Sequence, residues 1–355
     1  MKYDGGTDNF CAAVVVSVPP SSGAGKRGKF RLWIAFRGPL GCQVWPMEQV
    51  ELAAMVLSTA QRRRAGGGDY VRLRRDAYVR ADAWTELDAR SRHLVRAHEV
   101  TARRDEPPLL CGPSAAAVWG LPIIGAWSDD VEVLVPDGAP GSRPGIRRRR
   151  TTVLPQGELR SGLLVTSAAR TVIDVARTSP ESGLAAADHA VRIGLVTQEE
   201  LRAEALAVPP RAGGRQGAQA VAALADPLAE STGESLSRFG FWQLGFPRPR
   251  LQVEFHDAAG FIGRTDAFWE AARLIGEFDG RVKYRVPPNA TPDQASKVLW
   301  DEKRREDRLR RVVAGVARWT WREALHRERL RAVLIGHGLR PSDQPWFDPV
   351  TLELL

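Results

Sequence analysis

The chain has 355 residues, 43% of them hydrophobic and 26% charged, which allows two or three domains with cores of their own and excludes a wholly disordered chain. Three cysteines, Cys11, Cys42 and Cys111, without CxxC spacing exclude a disulfide framework and a cysteine-rich zinc site, and no apolar run reaches the roughly 18 residues that span a bilayer. The net charge of +9 is uneven: residues 281–331 carry 15 Lys/Arg against 7 Asp/Glu, and residues 1–280 carry 35 against 32, so a basic field that is either a polyanion footprint or a solvated helix face belongs to the C-terminal part.

Residues 1–46 read as an extension of separate character. The apolar run Cys11 to Val18 is short and stops at Pro19 and Pro20, a poor secretion signal, so the expected compartment is cytoplasmic with no membrane partner. Strands are expected at Val14–Val18 and Phe30–Phe36. Between them, Ser22 to Arg27 hints at a phosphate loop. It has Pro20 in place of the first glycine and Arg27 in place of the magnesium-binding hydroxyl, which argues against a nucleotide site. Met47 opens the first helical pattern and marks an alternative start of translation.

Residues 47–64 read as one amphipathic helix stopped by Gly66 to Gly68. A hairpin follows, Tyr70–Leu73 and Ala77–Val79 across Arg74 to Asp76. Residues 47–84 are therefore a truncated winged-helix-like segment or a small packing subdomain. Residues 85–207 read as mixed α+β, with helices at 85–103, 113–119, 166–177, 181–192 and 197–206 and strands at 131–135, 146–154 and 163–165. Thr197 with Glu200 makes a capping box. Residues 208–225 open with a stretch rich in Pro, Gly and Arg and read as an exposed linker. From 226 to 337 the order is helix (229–244), strands (251–255, 261–268, 273–278), long helix (293–314), strand (316–321) and helix (322–336). Residues 338–355, with three prolines, read as an extended tail. The fold class is α/β (α+β) and multidomain, closing on a mixed sheet flanked by helices.

Acidic side chains converge in this last region. Side chains alternate along a strand, so Glu277 and Asp279 share a face. Trp269 to Ala272 leave room only for a tight turn, which makes the flanking strands antiparallel neighbours and sets Asp266 opposite or diagonal to Ile275 and Glu277. Carboxylates facing one another across a sheet repel unless a cation neutralises them, and Mg²⁺ or Mn²⁺ suits a site of a few carboxylates completed by water and phosphate. Asp279 with Gly280 also reads as the start of a turn. Lys283 is placed to orient water or stabilise a phosphate. Glu234 recurs with Glu230 and Arg238 at helical spacing, as an ion ladder or as a group facing the metal. Glu302 and Arg305 fall on the apolar stripe of the long helix, where charges need partners: a phosphate, a carboxylate or each other. Lys303, Arg304 and Arg305 are the candidate DNA contacts. His93 and His98 are five apart, which does not match a zinc-protease helix.

Taken together, Glu234, Asp266, Glu277 to Tyr284, Glu302 to Asp307 and Arg318 to Trp321 resemble the PD-(D/E)xK restriction-endonuclease-like superfamily, in its very-short-patch-repair-endonuclease-like branch, over about residues 228–325. The resemblance implies a metal-dependent endonuclease acting on DNA. Asp266, Glu277 and Asp279 would be catalytic and metal-binding and Glu234 metal-binding. Lys283 would be a displaced form of the lysine that the superfamily carries where this chain has Asp279. Residues 70–225 resemble the AbiEi-type antitoxin family of type IV toxin–antitoxin systems through Leu73 to Val79, Pro113 to Pro122, Val131 to Pro136 and Val165 to Asp174. That resemblance implies two alternatives: a non-catalytic DNA-binding regulator, or an interaction module that neutralises a toxin partner.

Overall fold

The computed structural model describes residues 14–17, 32–38, 41–44, 52, 55–64, 68–102, 104–280, 292–342 and 344–355; Ser22 to Arg27, Met47 and Lys283 lie outside the described residues. The protein is mixed α and β, and it divides into two compact units, Met1–Arg103 and Arg104–Leu355. Residues 70–225 are thereby split, with the hairpin in the first unit and the later elements in the second.

In the first unit, β1 (Val14–Ser17), β2 (Leu32–Gly38) and β3 (Gly41–Val44) form an antiparallel meander. The single helix expected over 47–64 is corrected: within 55–64 only α1 (Thr59–Arg64) is helical. Leu57 leaves the helical path to bridge Tyr78, exchanging N–H···O bonds of 2.7 and 2.8 Å. Ser58 and Gln61 then cap the helix reciprocally, which fixes its start. The hairpin is present as β4 (Tyr70–Arg74) and β5 (Ala77–Arg80). Its turn places Asp76 at φ 60°, a left-handed conformation that aspartate tolerates better than most residues. The helix expected at 85–103 is two, α2 (Ala81–Glu86) and α3 (Ala89–Ala102). Asp88 breaks them apart by accepting the Ser91 N–H at 2.6 Å, a cap that starts the second helix.

The second unit begins with a five-stranded sheet of order β8-β7-β6-β10-β9. Its strands are β6 (Leu109–Leu110), β7 (Val131–Pro136), β8 (Ile146–Thr151), β9 (Glu158–Arg160) and β10 (Leu163–Val165). Helix α4 (Gly112–Trp119) follows β6 and ends at Gly120, at φ 77°. A helical layer of α5 (Ala168–Ala176), α6 (Pro180–Arg192), α7 (Gln198–Ala207) and α8 (Arg215–Leu224) comes next. Ser167 caps α5, and the Thr197–Glu200 capping box opens α7 as expected.

The linker reading of 208–225 does not hold as drawn. Its first part is an exposed turn, but α8 buries Ala218 and Ala220 to Leu224. Gly214 lies so close to Arg177 that a Cβ would stand 2.0 Å from the Arg177 carbonyl oxygen. Alanine-rich helices pack this tightly because no side chain holds them apart.

The closing region follows the expected order: α9 (Thr232–Gln243), β11 (Arg250–Asp257), β12 (Gly260–Trp269), β13 (Leu274–Phe278), α10 (Pro292–Val312) and β14 (Gly315–Trp319). The final helix is broken at Leu325 and His326 into α11 (Trp321–Ala324) and α12 (Arg327–Gly336). The sheet runs β11-β12-β13-β14, antiparallel except for the last, parallel pair. Against one face α10 packs Leu309 and Val313 on Ile262, Ile275 and Val316. Against the other, Phe241 of α9 meets Trp269 and Trp319 edge-on, with centroids 5.1 and 5.4 Å away.

The expected ladder of Glu230, Glu234 and Arg238 does not form. Arg238 is buried and forks onto Asp188 of α6 at 2.7 and 2.8 Å, while Glu230 pairs with Arg264 at 2.7 Å. Burial pushes the Asp188 carboxyl up and Arg238 pulls it back. The tail returns to the body, where the Trp346 indole donates to the Phe246 carbonyl at 2.8 Å. Among the described residues no helix is long and apolar enough to cross a membrane.

Candidate active site

The acidic residues gather where β13 runs out. The β12–β13 ladder pairs Phe268 with Ile275 and Ala267 with Gly276, and one further step along that register sets Asp266 opposite Glu277. The parallel ladder then sets Glu277 beside Arg318 of β14. Asp266, Glu277 and Arg318 thus form one row across three strands, as cross-strand pairing requires.

Asp266 is held by its surroundings. Its Oδ2 accepts the Phe278 N–H at 2.8 Å. The Phe278 ring lies against α9 at Gly233, where a Cβ would come within 1.9 Å of it, so only glycine leaves room there. Burial, then the charges of Glu234 and Glu277, push the Asp266 carboxyl up from 3.8 to about 7, against the opposing pull of the Phe278 N–H and of Arg305.

Glu234 stands in the first turn of α9. Its oxygens accept from Ser231 Oγ at 2.7 Å, the Glu230 N–H at 2.9 Å and Gln252 Nε2 at 3.0 Å, while Ser231 Oγ accepts the Glu234 N–H. Glu234 is therefore a capping residue, yet it also lines a small cleft with Asp266, Ser237, Leu251 and Phe278. Gln252 lies between the Leu251–Ala267 and Val253–Thr265 pairs, opposite Asp266, at φ 52°. A glutamine in the left-handed region is uncommon and stores strain beside the site.

Glu277 carries two ion pairs. Arg305 reaches one carboxylate oxygen at 2.8 Å and Arg318 the other at 2.9 Å, with Glu277 only 13% exposed. Arg318 also approaches Glu306 at 3.6 Å, and Glu306 bonds Arg310. Arg310, ahead of Arg318 and Arg305, holds the Glu306 carboxyl below its ordinary range. Arg305 lies flat over β12, donating to the Arg264 carbonyl as well. It can do so because Gly263 has no side chain, since a Cβ there would stand 2.6 Å from Arg305 Nε.

The remaining candidates divide. Asp279 continues the strand end, its N–H donating to the Trp319 carbonyl at 2.7 Å, and its side chain is half-buried. Lys283 and the side chain of Glu302 lie outside the described residues. Lys303 and Arg304 are exposed on α10, and the Lys303 ammonium sits 5.6 Å from the ring centre of exposed Trp300. Arg305 reaches a carboxylate, one of the partners expected for it.

Gln252 and Gly263 were not among the sequence candidates, and Arg318 entered only as part of the closing strand, with no role in the site. Arg318 falls beside Glu277 only through a parallel pairing formed across a helix, which no local pattern announces. The single signal for Gly263 is a glycine inside an otherwise regular strand. Among the described residues no three Asp, Glu, His or Cys side chains are gathered as a ready-made metal cage. No family model, no curated protein and no solved structure matches this chain.

Proposed function

We propose that the C-terminal sheet carries a Mg²⁺- or Mn²⁺-dependent phosphodiester hydrolase site acting on DNA. The observation that carries the reading is the row Asp266–Glu277–Arg318, with Glu234 facing Asp266 across a cleft. Burial first, and then the charges of Glu234 and Glu277, leave Asp266 reluctant to ionise, a penalty that a hard cation relieves. Mg²⁺ is commonly held by one or two carboxylates, with water and substrate phosphate completing its shell. Asp266 and Glu234 fit that requirement, and Glu277 joins them when its arginines turn away. Bound there, the cation would neutralise phosphate charge and acidify a water. The chain's own part is to orient Asp266 through the Phe278 N–H, keep the cleft partly dry with Phe278 and Leu251, and present arginines to the phosphate. The mixed sheet flanked by helices agrees with this reading.

One observation favours a second reading, a DNA-binding regulator without cleavage: both oxygens of Glu277 are already taken by guanidinium groups. A divalent-ion titration on supercoiled plasmid separates the two. The hydrolase reading expects nicking that needs Mg²⁺ or Mn²⁺ and is lost in Glu277→Ala. No cleavage by the wild type with any divalent ion leaves the regulator, and equal nicking by both proteins points to a contaminant.

A further inference from the structure

We propose that Arg305 and Arg318 are a phosphate-binding pair parked on Glu277 in the free protein, and that a DNA phosphate draws them off and so releases Glu277 for the cation site. The proposal rests on the hydrolase reading above and adds how substrate would open its acidic site.

The geometry is that of an exchangeable clamp. Each Glu277 oxygen meets one guanidinium, at 2.8 Å from α10 and 2.9 Å from β14. The two arginines therefore approach one anion from different elements, an arrangement that a phosphate's oxygens can also satisfy. Neither arginine is sealed in: their side chains are 20% and 33% exposed, against 13% for Glu277. Arg318 keeps a second carboxylate, Glu306 at 3.6 Å, and Arg305 keeps the Arg264 carbonyl at 3.2 Å. Each guanidinium so retains an anchor while its contact with Glu277 is exchanged, and Gly263 sets no side chain against Arg305. The exposed cations Lys303 and Arg304 occupy the same helix, so a DNA backbone drawn to that face meets Arg305 next. A carboxylate tied to two arginines is a poor cation ligand, and one vacated beside Asp266 is a good one. DNA and cation must then favour each other by the same factor.

The test is the affinity of the full chain for a short fluorescein-labelled duplex at low salt and without divalent ions. Glu277→Gln keeps the shape of the side chain but weakens its hold on the arginines, so affinity should rise about fivefold or more. Removing a negative charge would do some of this by itself. The same substitution is therefore repeated in Arg305→Gln/Arg318→Gln, where the gain should vanish. A gain that persists in that background, or no gain at all, overturns the proposal while leaving the hydrolase reading standing. No binding of DNA by the wild type or by any variant removes both. If Glu277→Gln does not fold, the wild type carries the test with Ca²⁺, another hard oxygen-seeking ion. Duplex affinity must rise with Ca²⁺, and Ca²⁺ affinity with duplex, by equal factors, and independence of the two overturns the proposal.

Discussion

Replacing Asp266 by Asn removes the charge and keeps the shape. The Asn Oδ1 still accepts the Phe278 N–H, and its amide turns a donor toward the neighbouring carboxylates. In the folded protein Asp266 keeps its proton up to about pH 7, whereas the unfolded chain releases it near 3.8. Between those values the folded state binds more protons, so this group makes stability fall as pH rises through the window and leaves it low above it. Three pH units at about 1.4 kcal/mol each give a ceiling of about 4 kcal/mol. Relaxation and water entry into the cleft reduce it, so Asp266→Asn should stabilise by about 1–3 kcal/mol at about pH 8 and by almost nothing at about pH 4. For a unit of this size that corresponds to about 2–4 °C in Tm per kcal/mol. Thermal melts of both proteins across this range read the effect directly. A substitution that lowers Tm equally at both ends of the range would refute the account of the site's charge.

Other outcomes follow from single contacts. Arg238→Ala leaves Asp188 buried and uncompensated and should cost about 3–5 kcal/mol in urea unfolding, with much of the loss recovered in Arg238→Met/Asp188→Leu. Gly263→Ala should cost about 1–3 kcal/mol by pushing on Arg305, and that cost should shrink in an Arg305→Ala background, as a double-mutant cycle would measure. Trypsin should cut the native protein at exposed Arg211, but the two pieces should elute together, because α8 packs on Ala176 and Pro180. Separation of the pieces on gel filtration would restore the linker reading.

Local patterns carried most of the element order. The Thr197–Glu200 capping box, the helix ending at Trp119 and the alternation of β12 and β13 each rest on residues close in sequence, and each is where the pattern puts it. The antiparallel turn between β12 and β13 was short enough to set Asp266 against Glu277 by counting. Long-range partners were not legible. Glu230, Glu234 and Arg238 have helical spacing, yet the helix starts only at Thr232, and each side chain is claimed by a different element. Leu57 broke a helix that its neighbours favoured because a strand partner at Tyr78 was available. The stretch after Val208 looked like a linker because prolines, glycines and arginines together are read as flexible and exposed, whereas Gly214 and Gly217 here permit close packing.

The claim at the centre of this account is that Asp266, Glu234 and Glu277 can hold a divalent cation. Anomalous scattering from crystals of the full chain soaked in Mn²⁺ with a short duplex tests it most directly. The account predicts a manganese peak in contact with the Asp266 carboxylate, with Arg305 and Arg318 turned from Glu277 toward a phosphate. Crystals with ordered DNA and no manganese at Asp266, the two arginines still on Glu277, would contradict it.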